Sequence, residues 1–193
     1  PTGDVVFDVS ASDTGEATVS ASKLTFTNGN WNTPQTVTVT GIDDSLDDGD
    51  QSSTVTVAVN DGSTADNNFD SLADSQVTVT TTDNDTSGVA TSVASITVSE
   101  AGTTGTFTVV LDTQPTGNVV FDVSASDTGE ATVDSSSLTF TTGNWDTPQT
   151  VTVTGIDDSL DDGDQNSTVT VAINTGSTAD SAYDAVGAQT VAV

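Results

Sequence analysis

The stretch PTGDVVFDVSASDTGEATV at residues 1–19 occurs again, with one change, as PTGNVVFDVSASDTGEATV at residues 115–133. The similarity extends well beyond this stretch: residues 1–79 align with residues 115–193, and 60 of the 79 aligned positions are identical. A repeat of this length indicates a whole domain, because stacked-repeat folds use units of about 20 to 50 residues. We therefore predict two domains in series from a tandem array, and such arrays provide length, stiffness or many weak contacts.

Apolar and polar residues alternate throughout the repeated module, which is the pattern of half-buried β-strands. Val5, Phe7 and Val9 face one way in the first strand, and QTVTVTGI and STVTVAVN follow the same rule with threonine on the outward rows. Clusters of Asn, Gly, Pro and Asp between these stretches predict turns. The pattern predicts an all-β protein made of two tandem antiparallel Greek-key (Ig-like) β-sandwich domains.

The two copies differ in what precedes the shared module. Residues 93–111, in front of the second copy, alternate in the same way and predict two further strands, which the first copy lacks. We therefore expect a domain at 1–85 that lacks its N-terminal strands and a domain at 86–193 that lacks the acidic tail ending the first copy. Two explanations stay open: the chain is cut from a longer array, which we favour, or a neighbouring molecule supplies the missing strands.

Composition excludes several classes of partner and of chemistry. The chain has 29 acidic residues against one basic residue and a net charge of -28, so it repels nucleic acids and anionic membrane surfaces. Cysteine, methionine and histidine are absent, which excludes disulfides, soft-metal sites and thiol nucleophiles and leaves only oxygen ligands. No membrane-spanning run is present, and a cysteine-free composition suits an exported protein.

The most distinctive chemical feature is the run GIDDSLDDGDQ, at residues 41–51 and again at 155–165. It places five aspartates within eight positions, and carboxylates this close repel by about 1 kcal/mol per pair at 4 Å even in bulk water. Such a run favours a hard cation, although its spacing is not that of an EF-hand, and a solvated acidic loop is the simpler interpretation. Because loops gather at the two ends of a sandwich, Asp43 and Asp44 are expected near Asp83 and Asp85.

Four blocks resemble, in order, those of a Calx-beta domain: ITVSEAGTTGTFTVVL, DTGEATVDSSSLTF, VTVTGIDDSLDDGDQ and VTVTTTDND. That family is a calcium-associated β-sandwich found in exchangers, integrins and large bacterial surface proteins, so the resemblance implies Ca2+ as the cofactor. Gln51 and Gln165 depart from the family, whose binding members often carry glutamate there. Matched by position, the resemblance implies as metal ligands Glu16, Asp43, Asp44, Asp48, Asp83, Asp85, Glu100, Glu130, Asp157, Asp158 and Asp162.

Other residues suggest competing functions. Trp31 and Trp145, each in a NWxTPQ stretch, are suited either to stacking on a sugar or, as we favour, to closing a sandwich edge. Lys23 suggests a cross-link to Asn or Asp, but its counterpart is Ser137, so a repeat-wide bond is not expected. Nothing in the sequence indicates an enzyme. A third interpretation is halophilic acidity without specific sites.

We therefore predict an extracellular or cell-surface structural module, a calcium-stiffened spacer or filament-forming protein in adhesion. Its expected partners are neighbouring copies of the same repeat, with strand exchange as one route to a filament, and surface glycans as a further candidate. No nucleic acid and no membrane insertion are expected. The alternative function is a carbohydrate-binding module or a calcium-sensing domain.

Overall fold

The computed structural model describes residues 1–161 and 163–193, and the regular structure in them is β-strand apart from one 3-10 turn, η1 (Ser181–Tyr183). The chain divides into two compact units, one of Pro1–Asp44 with Asp48–Asp83 and one of Ser45–Asp47 with Asn84–Val193. The strands are β1 Val5–Ala11, β2 Ala17–Val19, β3 Lys23–Phe26, β4 Val39–Gly41, β5 Gln51–Val59, β6 Ser75–Thr81, β7 Val89–Thr91, β8 Thr104–Leu111, β9 Val119–Ala125, β10 Ala131–Val133, β11 Ser137–Phe140, β12 Gln149–Gly155, β13 Thr168–Ile173 and β14 Gln189–Ala192.

The second unit is a complete two-sheet sandwich. One sheet has the order β10-β12-β8-β7 and the other β11-β9-β13-β14, and every pair is antiparallel. In each sheet two of the three neighbouring pairs are not consecutive in the chain, so those connections cross between sheets as in a Greek key. The inward rows supply a continuous core in which Phe107, Phe121, Phe140 and Tyr183 are the largest buried side chains. The predicted all-β sandwich fold is confirmed.

The first unit repeats this plan with two strands fewer. Its larger sheet, β3-β1-β5-β6, matches β11-β9-β13-β14 strand for strand, and its second sheet consists of β2 and β4. The described residues contain no first-unit counterpart of β7 and β8, as the sequence predicted. The first unit therefore has one full sheet and half of its second sheet.

The strands in front of the second module differ in one respect from the prediction. Of the two strands predicted within residues 93–111, the first was expected around Ile96 and Val98. The structure instead begins the second unit with β7, at Val89–Thr91. Ser95 makes only an isolated parallel bridge to Ala192, while Ile96 and Val98 still pack against the core. The alternation therefore identified buried residues correctly but not the backbone pairing.

Candidate functional site

Glu16 marks the acidic end of the first unit. Its carbonyl oxygen accepts hydrogen bonds from the Ile42 backbone N–H at 2.8 Å and from the Thr81 hydroxyl at 2.9 Å. These bonds join the start of β2, the end of β4 and the end of β6. These hydrogen bonds hold the Glu16 backbone, so its half-buried side chain extends from the sandwich rather than from a free loop.

Asp83 holds the acidic loop against the end of β6. Its Oδ2 accepts the backbone N–H of Asp48 at 3.1 Å and that of Gly49 at 2.7 Å. The Asp83 N–H in turn donates to Asp50 Oδ1 at 3.0 Å. Gly49 has a φ of 75°, a conformation that favours glycine and that helps two successive amides point at one oxygen. The end of β6 and the acidic loop therefore meet at Asp48, Gly49 and Asp50. The expected approach of Asp43 and Asp44 to Asp83 and Asp85 stays a prediction.

The carboxylates of the first unit form one electrostatic environment. The pKa of the Glu16 carboxyl is raised, first by its partial removal from water and then by the negative charges of Asp48, Asp44, Asp13 and Asp83. A raised pKa means that the surroundings disfavour one more negative charge. Three predicted ligands, Asp44, Asp48 and Asp83, therefore act on a fourth, Glu16, whereas Asp43 is exposed.

The second unit has an open cleft of about 580 Å³ at its corresponding end. Glu100 and Glu130, both predicted ligands, line this cleft together with Asp161 and Asp164. Asp164 is the counterpart of Asp50, and neither residue was among the predicted ligands. Both aspartates belong to the repeated run GIDDSLDDGDQ, but the resemblance to a Calx-beta domain implied Asp48 and Asp162 as ligands instead.

The remaining predicted ligands are placed differently. Asp157 and Asp158 are exposed and do not line the cleft, and Asp158 Oδ1 accepts the Leu160 N–H at 2.7 Å. Asp162 lies outside the described residues. Asp85 is half-buried and belongs to the second unit.

The short segment Ser45–Asp47 also belongs to the second unit. There Asp47 Oδ2 accepts the Ser87 N–H at 2.7 Å, and the Ser45 carbonyl accepts the Gln114 N–H at 2.7 Å. Asp47 was not a predicted ligand, and its carboxylate oxygen already has a backbone partner.

The donors suit calcium in kind but do not form a coordination shell. Carboxylate oxygens are the ligands that calcium prefers, and it takes six to eight of them at about 2.3–2.6 Å. Among residues 1–161 and 163–193, no group of three or more acidic side chains lies close enough to hold a metal ion. Backbone N–H groups, such as those of Asp48 and Gly49, already donate hydrogen bonds to carboxylate oxygens that a cation would need.

The two tryptophans have different surroundings. Trp145 packs against the core of the second unit, and its carbonyl accepts the Leu111 N–H at 3.2 Å. Trp31, its counterpart, leaves 61% of its surface exposed. The packing role favoured for these residues therefore holds for Trp145, while Trp31 presents an open aromatic surface.

Lys23 takes part in an exposed ion pair. Its Nζ lies 3.4 Å from Asp8 Oδ1, and Asp8 Oδ2 also accepts the Asn60 side-chain amide at 2.7 Å. The Lys23 and Asp8 side chains are each about half exposed. In the second copy Asn174 keeps its bonds to Asp122, but Ser137 replaces the lysine.

The described residues include no helix with the length and apolarity to cross a bilayer.

Comparison with known proteins gives structural similarity only. No protein-family model matches the chain, and no curated protein sequence matches it either. Among solved structures, domains 4 and 5 of the S-layer protein SbsC are similar with a TM-score of 0.41 and 16% identity, covering 97% of this chain and 68% of that one. CBD12 from CALX1.2 is similar with a TM-score of 0.37 and 14% identity, covering 89% and 68%. At these scores neither similarity establishes a family.

Proposed function

We propose that this chain is a structural repeat module of an extracellular surface protein whose acidic loops respond to calcium. The supporting observation is the carboxylate group of the first unit: partial burial and then four negative side chains raise the pKa of Glu16, and Asp83 Oδ2 holds the acidic loop through two backbone N–H groups. A divalent cation at this end would offset that repulsion and order the loop between β4 and β5. Two units in series that share a repeated module suit a spacer or filament, whose proposed partners are neighbouring copies of the same repeat. The proposal includes no catalytic role.

The affinity expected from this geometry is weak. Asp83 Oδ2 already accepts two backbone N–H groups, so a bound ion must share oxygens that are partly satisfied. Extracellular modules typically bind calcium with dissociation constants of about 0.1 to 1 mM. We expect saturation in that range, with stiffening rather than a large change of shape.

Calcium titration of the whole chain tests the proposal. Calcium should produce saturable heat and a higher melting temperature, beyond what sodium chloride gives at matched ionic strength. Asp83→Asn should remove most of this effect. Asp61→Thr is the matched control, because it removes one negative charge at a position where the second copy carries Thr175.

The outcome that contradicts the proposal is equally definite. If melting follows total ionic strength and ignores millimolar calcium, the acidity is halophilic and the loops hold no specific cation. A large calcium-driven change in X-ray scattering would instead indicate a sensor.

A carbohydrate-binding module is the second candidate, and the exposed indole of Trp31 favours it. A flat, accessible aromatic surface is suited to stacking on a sugar ring. A glycan array with the unmodified chain and with Trp31→Ala decides this question. Binding that the substitution abolishes would support glycan recognition, and an array without signal would leave the spacer function.

A further inference from the structure

One seven-residue sequence adopts two structures in this chain. QTVTVTG at residues 149–155 forms the whole of β12, whereas the identical QTVTVTG at residues 35–41 is a strand only over Val39–Gly41. On one side β4 pairs with β2 just as β12 pairs with β10. The difference lies on the other side, where β12 pairs with β8 from Gln149 to Thr154 and β4 has no counterpart of β8 within the described residues.

The same difference leaves an apolar face of the first unit open. Phe140 is fully buried, but its counterpart Phe26 is only half-buried. Val191 has no exposed surface, whereas its counterpart Val77 leaves 59% exposed. We call this surface the open face; it is the inner side of the first unit around Leu24, Phe26, Val37, Val39 and Val77.

In the second unit, residues 89–111 cover the equivalent surface. Phe107, Val109 and Leu111 of β8 are almost completely buried, and Val151 of β12 lies directly opposite Phe107. The segment before β8 follows the neighbouring edge, where the Ile96 N–H donates to the Ala192 carbonyl at 2.9 Å.

The surroundings of two equivalent glycines, Gly155 and Gly41, differ because this segment is present only in the second unit. A methyl group on Gly155 would collide with the backbone of Ser99, whose carbonyl carbon lies 2.8 Å from that position. A methyl group on the counterpart Gly41 meets only the Thr81 side chain, at 3.3 Å. The space that Ser99 fills in the second unit is therefore not occupied by backbone in the first.

We propose that the open face is the docking surface for a further copy of the segment 86–114, joined ahead of Pro1 as Gln114 is joined to Pro115. Pro1 is the counterpart of Pro115, so this connection reproduces the one already made in the second unit. A second molecule is a poorer donor, because its own β8 is embedded in its own core and its removal would open an equal face. In the docked state, the Phe107 of the added copy lies opposite Val37 and residues 35–38 join β4.

The experiment compares the chain with an extended chain that carries an added copy of residues 86–114 before Pro1. The matched control has the same extension with Phe107→Asp and Val109→Asp in the added copy only. Hydrogen exchange is followed at residues 35–41, with residues 149–155 of the same molecule as the internal standard. All measurements are made with chelator, so that the result does not depend on calcium binding or on the proposed function.

The expected result is that exchange at residues 35–38 slows to match residues 149–152 in the extended chain, and stays fast in the control. Gly41→Ala, tolerated in the original chain, should destabilise the first unit of the extended chain. Unchanged exchange at residues 35–38 in an extended chain whose first unit is folded would overturn the proposal. A concentration-dependent dimer of the original chain with slow exchange at residues 35–38 would also overturn it, by assigning the open face to a second molecule.

Discussion

Replacement of Gly155 by alanine should destabilise the second unit, while the same change at Gly41 should be nearly neutral. Both glycines end a strand and are the last residue of a QTVTVTG stretch, and neither has a positive φ. The methyl group at Gly155 would overlap the Ser99 carbonyl group. The methyl group at Gly41 would need only a small shift of the Thr81 side chain.

The magnitude follows from three contributions. Alanine at a position whose backbone it tolerates stabilises by about 0.4–1 kcal/mol, because the unfolded chain loses freedom. Overpacking costs about 1–3 kcal/mol. Displacing Ser99 also strains its N–H bond to the Thr103 hydroxyl, 2.7 Å long, and the bond from Gly155 N–H to the Thr103 carbonyl, 3.1 Å long. Each such bond contributes about 1 kcal/mol. We expect a loss of about 2–4 kcal/mol for Gly155→Ala and a change within about 1 kcal/mol for Gly41→Ala.

Urea unfolding followed by residue-resolved NMR measures both effects in one molecule. Amide signals of Val153 report on the second unit and those of Val39 on the first. Equal losses for the two substitutions, or a larger loss for Gly41→Ala, would refute the assignment of Ser99 as the obstacle that distinguishes the units.

Four further substitutions test burial and charge. Phe140→Ala should cost about 3–5 kcal/mol in urea unfolding and Phe26→Ala less than half as much, because the two rings make the same edge-to-face contact at 6.0 Å but only Phe140 is fully buried. Tyr183→Phe should cost about 1–3 kcal/mol, since the buried hydroxyl donates to the Thr113 carbonyl at 2.6 Å. Burial raises the pKa of Tyr183, so the unmodified chain should lose stability as the pH rises above about 10, and the variant should lose less. The Thr2 backbone N–H lowers the pKa of Asp66 from 3.8 to about 2, so Asp66→Asn should melt lower than the unmodified chain at neutral pH, with the difference shrinking as the pH falls from 4 to 2.

The strands could be predicted from sequence because their alternation is a local signal. Phe121 and Val123 point inward in β9 as the period-two pattern requires. The length of β4 could not be predicted in the same way. Val37 belongs to the same seven residues as Val151, yet only Val151 has a β8 residue opposite it. Strand length here depends on a partner far away in the sequence, and a local pattern carries no information about that partner.

The position of the acidic loop could be predicted in outline, but the residues that hold it could not, for a related reason. The approach of Asp83 to the acidic loop follows from sandwich geometry, since loops and strand ends gather at one end. Asp50 takes part because its Oδ1 accepts the Asp83 N–H, and the loop turns at Gly49, whose φ is 75°, so that the Asp48 and Gly49 N–H groups reach Asp83 Oδ2. Side-chain identity alone does not encode that conformation.

Backbone amides also change the argument for a cation at these loops. Crowded carboxylates were expected to need a metal ion, but Asp83 accepts two N–H groups, and Asp158 and Asp13 each accept one from the residue two positions later. Amides held by the fold stabilise an ionised carboxylate without any ion. They act only at short range, however, and leave the mutual repulsion around Glu16 in place. In the proposed calcium response, a cation would therefore act mainly on this residual repulsion, and for that reason we expect its binding to be weak.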